Sequence, residues 1–257
     1  MINGLNPKKV IAFDLDDTLA VAKSPITDEI SKLLVRLIDK YEVCIISGGK
    51  FGQFMIQVID RLEETPHTLT RLHIMPTDGT EYFRYDELTK KWDKQYEYYL
   101  TPDQKKRAFQ VLEESAKKLG FWELNPYGEI IEDRESQVSF SALGQHAPAD
   151  IKYRWDPTDE KKEKLRDLVA PLLPDMEARV GGTTSVDVTM IGVDKAFGLN
   201  KLIEEMDINK DDILYIGDAL EPGGNDYSVK AMGIDTIEVK NWQDTAKLIE
   251  RILADTN

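Results

Sequence analysis

Ten residues near the start constrain this chain more than any other stretch: Val10-Ile11-Ala12-Phe13-Asp14-Leu15-Asp16-Asp17-Thr18-Leu19. A short apolar run without alternation reads as a strand covered on both faces, the mark of a buried parallel strand. Open sheets built from such strands place their ligands at the carboxyl ends, where this run meets its acids. If the chain stays extended past Phe13, Asp14 and Asp16 point to one side. Two carboxylates held that close repel unless a cation sits between them or one is protonated. A hard, oxygen-preferring divalent ion such as Mg2+ suits that pair.

The same pattern recurs. Ser24-Pro25-Ile26-Thr27 reads as a loop ending in an N-cap, and Ile30, Leu33, Leu34, Leu37 and Ile38 follow at helical spacing. Val43-Cys44-Ile45-Ile46 is a second buried strand, so the unit closes as a right-handed parallel crossover. It ends in Ser47-Gly48-Gly49, whose glycines let backbone N–H groups approach an anion. Lys50 to Glu63 is the next predicted helix. Far along the chain the pattern returns: Asp194-Lys195 opens a helix, and Ile213-Leu214-Tyr215-Ile216 is a buried strand ending in Gly217-Asp218. A glycine-containing loop leads to Asn225-Asp226, Thr236–Val239 is a further strand, and Asn241 to Ala254 a closing helix.

The stretch between has a different texture. Glu81 to Tyr99 mixes aromatics with charges and reads as hairpin strands, Thr77-Asp78-Gly79-Thr80 before it as a turn. A helix is predicted from Thr101 to Leu119 with Gly120 as its stop, and another from Asp156 to Leu173. Strand pairs are predicted at Ile130–Arg134 with Gln137–Ser141, and at Glu177–Val180 with Val186–Val188. This is an α+β pattern. The expectation is an α/β, doubly wound parallel core in two pieces, 1–81 and 189–257, with an inserted α+β cap domain at 82–188.

The 257 residues carry a formal net charge of -14. No basic excess is present to release counterions, which argues against non-specific binding to nucleic acid or an anionic membrane. Met1 to Lys9 has no apolar core, and no apolar run reaches membrane-spanning length; a cytoplasmic protein is expected. Cys44, the single cysteine, reads as a buried strand residue. His67, His73 and His146 lack the clustering a zinc site needs.

Three strands thus end in Asp14/Asp16, Ser47 and Asp218, and a lysine stands at a helix start. Phosphoryl transfer needs little more: a carboxylate to attack phosphorus, a second to move a proton, and cations and donors for the phosphoryl oxygens. Asp14-Leu15-Asp16-Asp17-Thr18, Ser47-Gly48, Lys195, and Gly217-Asp218 with Asn225-Asp226 resemble, in this order, the four motifs of the haloacid dehalogenase superfamily. The resemblance implies that Asp14 is the nucleophile and Asp16 the acid/base. It implies Mg2+ held by Asp14, the Asp16 carbonyl and Asp218, with Asn225 or Asp226 nearby. It makes Ser47 and Lys195 phosphoryl-binding residues, with Thr18, Gly48 and Gly49 beside them. Asp17 stands where the family usually has glycine.

The insert falls where one branch of that superfamily carries its α+β cap, and the likeness sharpens toward eukaryotic-type phosphomannomutases. Pro222-Gly223-Gly224-Asn225-Asp226 resembles their ending, and Gly181 to Val188 their cap strand, implying substrate contacts from Ser185 and Asp187. Ile131-Glu132-Asp133-Arg134 resembles a segment supplying a sugar-phosphate arginine, Arg134. The next arginine of that pattern is Gln145 here, and the third falls near Asp150-Ile151, with Lys152 and Arg154 close. Neutral Gln cannot clamp a phosphate as a guanidinium does. The expectation is therefore a phosphatase of sugar phosphates or similar phosphomonoesters, with a phosphohexomutase as the alternative. The resemblance also implies a homodimer through the cap.

Overall fold

A computed structural model describes residues 8–62 and 66–255, without the side chains of residues 66 and 67. The predicted helix end at Glu63, the side chain of His67 and most of the Met1–Lys9 stretch lie outside the described residues. In chain order the elements are β1 (Val10–Phe13), α1 (Asp28–Ile38), β2 (Glu42–Ile46), α2 (Phe51–Gln57), α3 (Pro66–Leu69), β3 (Leu72–Met75), β4 (Glu81–Asp86) and β5 (Lys91–Glu97). Next come α4 (Pro102–Leu119), β6 (Ile131–Asp133), β7 (Gln137–Ser141), α5 (Ala149–Trp155), α6 (Glu160–Val169), β8 (Met176–Val180) and β9 (Ser185–Met190). The chain closes with α7 (Lys195–Met206), β10 (Ile213–Gly217), α8 (Tyr227–Ala231), β11 (Asp235–Glu238) and α9 (Trp242–Asp255). They divide into two compact units, one formed up to Glu97 and from Asp194 onward, the other by Tyr98–Val193.

The first unit is built on a seven-stranded sheet of order β11-β10-β1-β2-β3-β4-β5. Its first five strands are parallel, and β4 and β5 add an antiparallel edge. The apolar run of β1 is buried throughout and feeds two cores, because successive side chains face opposite ways. Ile11 and Phe13 join Leu34, Leu37 and Ile249 on one face, while Val10 and Ala12 join Leu199, Leu202 and Val229 on the other. Helices on both faces of a parallel sheet make this the doubly wound architecture that the sequence predicts. Thr27 caps α1 by accepting from the Ile30 N–H at 3.3 Å, an end worth about 1 kcal/mol.

The second unit is a four-stranded antiparallel sheet of order β6-β7-β9-β8. Val138, Phe140, Val186 and Val188 cover one face and pack with Leu112, Ala116, Leu165 and Val169 of α4 and α6. The other face is polar in every strand. In the register, Glu132 pairs with Ser139, Ser139 with Asp187, and Asp187 with Arg179, a single row across the sheet.

Four differences from the sequence expectation have physical causes. The hairpin at Tyr82–Tyr99 belongs to the parallel sheet's edge and not to the inserted unit. Tyr82 and Phe83 each enter one of that sheet's two cores, so their aromatic surface completes it. Strand β3 was not anticipated, since His73 interrupts its apolar run; Glu42 and the Tyr82 hydroxyl satisfy the ring at 3.0 and 2.8 Å. The helix predicted from Lys50 stops at Gln57, where Val58 leaves helical geometry and the Gln57 carbonyl accepts instead from the Ile26 N–H at 2.8 Å. The helix predicted from Asp156 begins at Glu160, and α5 precedes it, launched from Pro148. Among the described residues no helix is long and apolar enough to cross a membrane.

Candidate active site

The carboxyl ends of β1, β2, β3 and β10 lie along one edge of the parallel sheet, and each delivers part of the site. Asp14 follows β1 directly, its N–H bonded to the Ile216 carbonyl of β10 at 3.0 Å. Beyond Asp16 the chain turns. Asp17 takes φ +62°, and its N–H turns back to the Ala20 carbonyl at 2.7 Å. That left-handed conformation is the one glycine supplies at no steric cost, and Asp tolerates it better than most residues. The Asp16 carboxylate accepts from Gln57 Nε2 at 3.0 Å and from the Lys23 N–H at 2.8 Å.

Lys195 is the first residue of α7, whose start is capped by Asp194 accepting from the Phe197 N–H at 2.9 Å. Its buried ammonium lies 2.7 Å from Asp14 Oδ1 and 2.6 Å from Asp226 Oδ1. Two glycines set the height of that helix: a Cβ on Gly79 would stand 2.3 Å from the Gly198 Cα. Gly79 ends a turn after β3 in which Thr77, Asp78 and Gly79 all have positive φ. The turn is tied to the Ser47 loop, since the Asp78 N–H donates to the Ser47 carbonyl at 3.1 Å and the Thr77 N–H to the Gly49 carbonyl at 3.0 Å. Ser47, Gly48 and Gly49 thus sit at the end of β2, with Ser47 and Gly49 buried.

Asp218 follows β10, and Thr18 Oγ1 donates to its Oδ1 at 3.4 Å. Asp226 is fully buried and saturated: Lys195 and the Tyr215 hydroxyl (2.5 Å) donate to Oδ1, and the Ala219 N–H donates to Oδ2 at 3.1 Å. Oxygens of Asp14, Asp218 and Asp226 all lie within 4.8 Å of one another. Burial, with Asp226 and Asp218 alongside, raises the Asp14 carboxyl well above the usual carboxylate range, against the pull of Lys195. Burial and Asp226 push Asp218 up to about 6. Burial also disfavours ionised Asp226, yet the Lys195 charge and its hydrogen bonds hold that carboxyl below its ordinary value. With all three carboxyls ionised, one ammonium leaves an excess of negative charge, which is why burial and mutual repulsion raise Asp14 and Asp218. The hard oxygen donors of Asp14 and Asp218 therefore suit a divalent cation, whereas Asp226 is committed to Lys195. Asn225 is exposed beside Asp226.

These groups can bind a metal and present an anionic oxygen beside a fixed positive charge. A family model for haloacid dehalogenase-like hydrolases matches residues 11–229. The chain belongs to that family. The enzymatic chemistry expected of the four motifs agrees with this membership. A probable phosphomannomutase of Caenorhabditis elegans is 24% identical, with 98% of each chain covered, and the phosphomannomutase of Saccharomyces cerevisiae is 25% identical, covering 96% of this chain and 94% of its own. Among solved structures, ATP-bound IMP-nucleotidase of Plasmodium falciparum superposes with a TM-score of 0.70 at 16% identity, over 96% of this chain and 60% of that one. A haloacid dehalogenase-like hydrolase from Bacteroides thetaiotaomicron gives 0.64 at 17% identity, over 96% of this chain and all of its own. These likenesses support the family's core fold.

In the second unit the structure gathers residues that the sequence left scattered. Arg134 is buried, paired with Glu132 at 2.8 Å, and donates to Gln145 Oε1 at 3.2 Å. Lys152 donates to the Gln145 carbonyl at 2.9 Å, while Arg154 turns away to Asp150. On the polar face, Asp187 Oδ1, Ser139 Oγ and both amide atoms of Gln137 are buried without a hydrogen-bond partner among the described residues, as is Gln145 Nε2. Such atoms cost about 1–3 kcal/mol each unless something meets them. Ser185 lies at the start of β9 on the same face as Asp187. Sequence reasoning missed Gln57, Asp78 and Tyr215. Only Tyr215 carried a signal, a hydroxyl inside a run otherwise wholly apolar.

Proposed function

We propose that this family member is a Mg2+-dependent phosphotransferase whose Asp14 takes a phosphoryl group from an activating hexose 1,6-bisphosphate and passes it to a hydroxyl of a hexose monophosphate, a mutase of the phosphomannomutase type. The observation that carries the transfer chemistry is the buried Asp14–Lys195–Asp226 line beside Asp218. Asp14 and Asp218, with the Asp16 carbonyl and Asn225, would hold Mg2+, which when bound offsets charge on the phosphoryl oxygens. Asp14 Oδ attacks phosphorus as the bond to the sugar oxygen breaks, and Asp16, turning from Gln57, gives that oxygen its proton. Lys195, Ser47 and Thr18, with the backbone of Gly48 and Gly49, receive the phosphoryl oxygens. Arg134, Ser185 and Asp187 serve the sugar phosphate.

Two observations favour a mutase over the phosphatase expected from sequence. The relatives named phosphomannomutase align over nearly the whole chain. Lys152, buried beside Gln145, restores a cation near Arg134. Hydrolysis is kept as a second reading because Arg134 is already ion-paired with Glu132 and Gln145 is neutral. Phosphorus NMR with Mg2+, mannose 1-phosphate and a trace of the 1,6-bisphosphate separates them: 6-phosphate means mutase, inorganic phosphate means hydrolase, and neither product rejects hexose phosphates. A homodimer through the 98–193 unit belongs to the same reading, and sedimentation equilibrium tests it.

A further inference from the structure

Tyr215 is the one hydroxyl in the β10 run Ile213–Ile216, and its side chain is wholly buried. Packing does not explain the hydroxyl. The ring lies in the core with Val10, Ala12, Cys44, Ile46 and Leu199, where phenylalanine would fill the same space. A buried hydroxyl is costly unless bonded, and among the described residues this one donates to Asp226 Oδ1 at 2.5 Å. That oxygen also receives Lys195 at 2.6 Å. Gly217 makes the approach possible, since a Cβ there would stand 2.3 Å from Asp226 Oδ2 and 2.9 Å from the Tyr215 ring.

We propose that Tyr215 is a positioning residue for phosphoryl transfer: by donating to Asp226 Oδ1 it fixes the carboxylate that anchors Lys195, and so fixes where the ammonium stands when Asp14 is phosphorylated. This rests on the phosphotransferase reading above. Two hydrogen bonds on Oδ1 and one on Oδ2 leave Asp226 no freedom to rotate. Asp226 also divides its negative charge between the two donors on Oδ1, which limits its hold on Lys195. In the phosphorylated state Asp14 no longer offers that oxygen as a free carboxylate, so the ammonium must turn to the phosphoryl group. An Asp226 freed from Tyr215 would draw the lysine back.

The test is Tyr215→Phe, alone and combined with Asp226→Asn, in the Mg2+-loaded full chain. Tyr215→Phe is expected to melt within a few degrees of wild type, to lose about tenfold in kcat, and to keep KM within about twofold. In the Asp226→Asn background the same change is expected to cost less than about twofold, because a neutral anchor already holds the lysine weakly. Equal losses in both backgrounds, or no loss in wild type, overturn the proposal. Calorimetry with inorganic phosphate and Mg2+ supplies a readout independent of turnover. Weaker phosphate binding in Tyr215→Phe supports the link through Lys195, and unchanged binding overturns it. A wild-type protein that binds phosphate but turns over no sugar phosphate rejects the functional reading and leaves this link to be judged by binding.

Discussion

Asp218 offers a prediction in which stability and function pull in opposite directions. In the folded protein burial and Asp226 raise its carboxyl to about 6, against an ordinary value of 3.8. Between those two values the folded chain holds a proton that the unfolded chain has released, so stability falls as pH rises through the window. The difference of roughly two pH units, at 1.36 kcal/mol each, amounts to about 3 kcal/mol. Asp218→Asn removes the ionisation and keeps the acceptor for Thr18. Urea unfolding in EDTA, run on both proteins from about pH 4 to pH 7.5, reads the effect. Whatever constant offset the amide introduces, wild type should lose about 3 kcal/mol relative to the variant across that range. Adding Mg2+ at the upper pH should then stabilise wild type and leave the variant nearly unchanged. A gap that stays flat with pH, or moves the other way, refutes the claim that the site carries an uncompensated carboxylate.

Other outcomes follow from the same geometry. Asp14→Asn should abolish turnover and the acid-stable count of labelled phosphoenzyme in a rapid quench, while leaving the circular dichroism spectrum unchanged; residual turnover would reject the nucleophile. Gly217→Ala forces Asp226 from Lys195 and should cost about 10²–10³-fold in kcat, the scale of losing one preorganised charge contact. Leu34→Ala, at a fully buried position of the first core, should destabilise by about 2–5 kcal/mol in urea titrations without changing kcat. Burial lowers the His73 ring below its ordinary 6.5 despite Glu42. Its contribution is present above 6.5 and drains as pH falls below that value; His73→Gln should flatten that acid limb of the melting curve.

The doubly wound core was legible because β1, β2 and β10 are short apolar runs that end in chemistry. Periodicity alone marks such runs. The hairpin of β4 and β5 was legible as a hairpin but not as a sheet edge. Its alternation says which faces are apolar and nothing about which sheet they complete. Asp14, Lys195 and Asp218 meet as their positions suggest. The hold of Gln57 on Asp16 was not legible, because the two lie 41 residues apart. Asp226 illustrates a second limit: sequence marks an acid near a metal site, while only its three hydrogen bonds show that it serves the lysine. Gln57, at the end of α2, and Asp78, in the turn after β3, reach the site through contacts between distant segments, which no local pattern encodes.

The place of β1 in the sheet also bears on how the chain is made. Val10 lies opposite Ile213 in the register, so the strand that opens the protein waits on the ribosome for a neighbour roughly 200 residues away. At about 5–20 residues per second that interval is about 10–40 s. Throughout it, one flank of β1 presents unpaired backbone groups, an invitation to aggregation. The inserted second unit lengthens the delay, yet its strands and helices pair among themselves and can close before β10 emerges. Synthesis rate and chaperone supply, more than final stability, should therefore govern how much soluble protein a cell recovers.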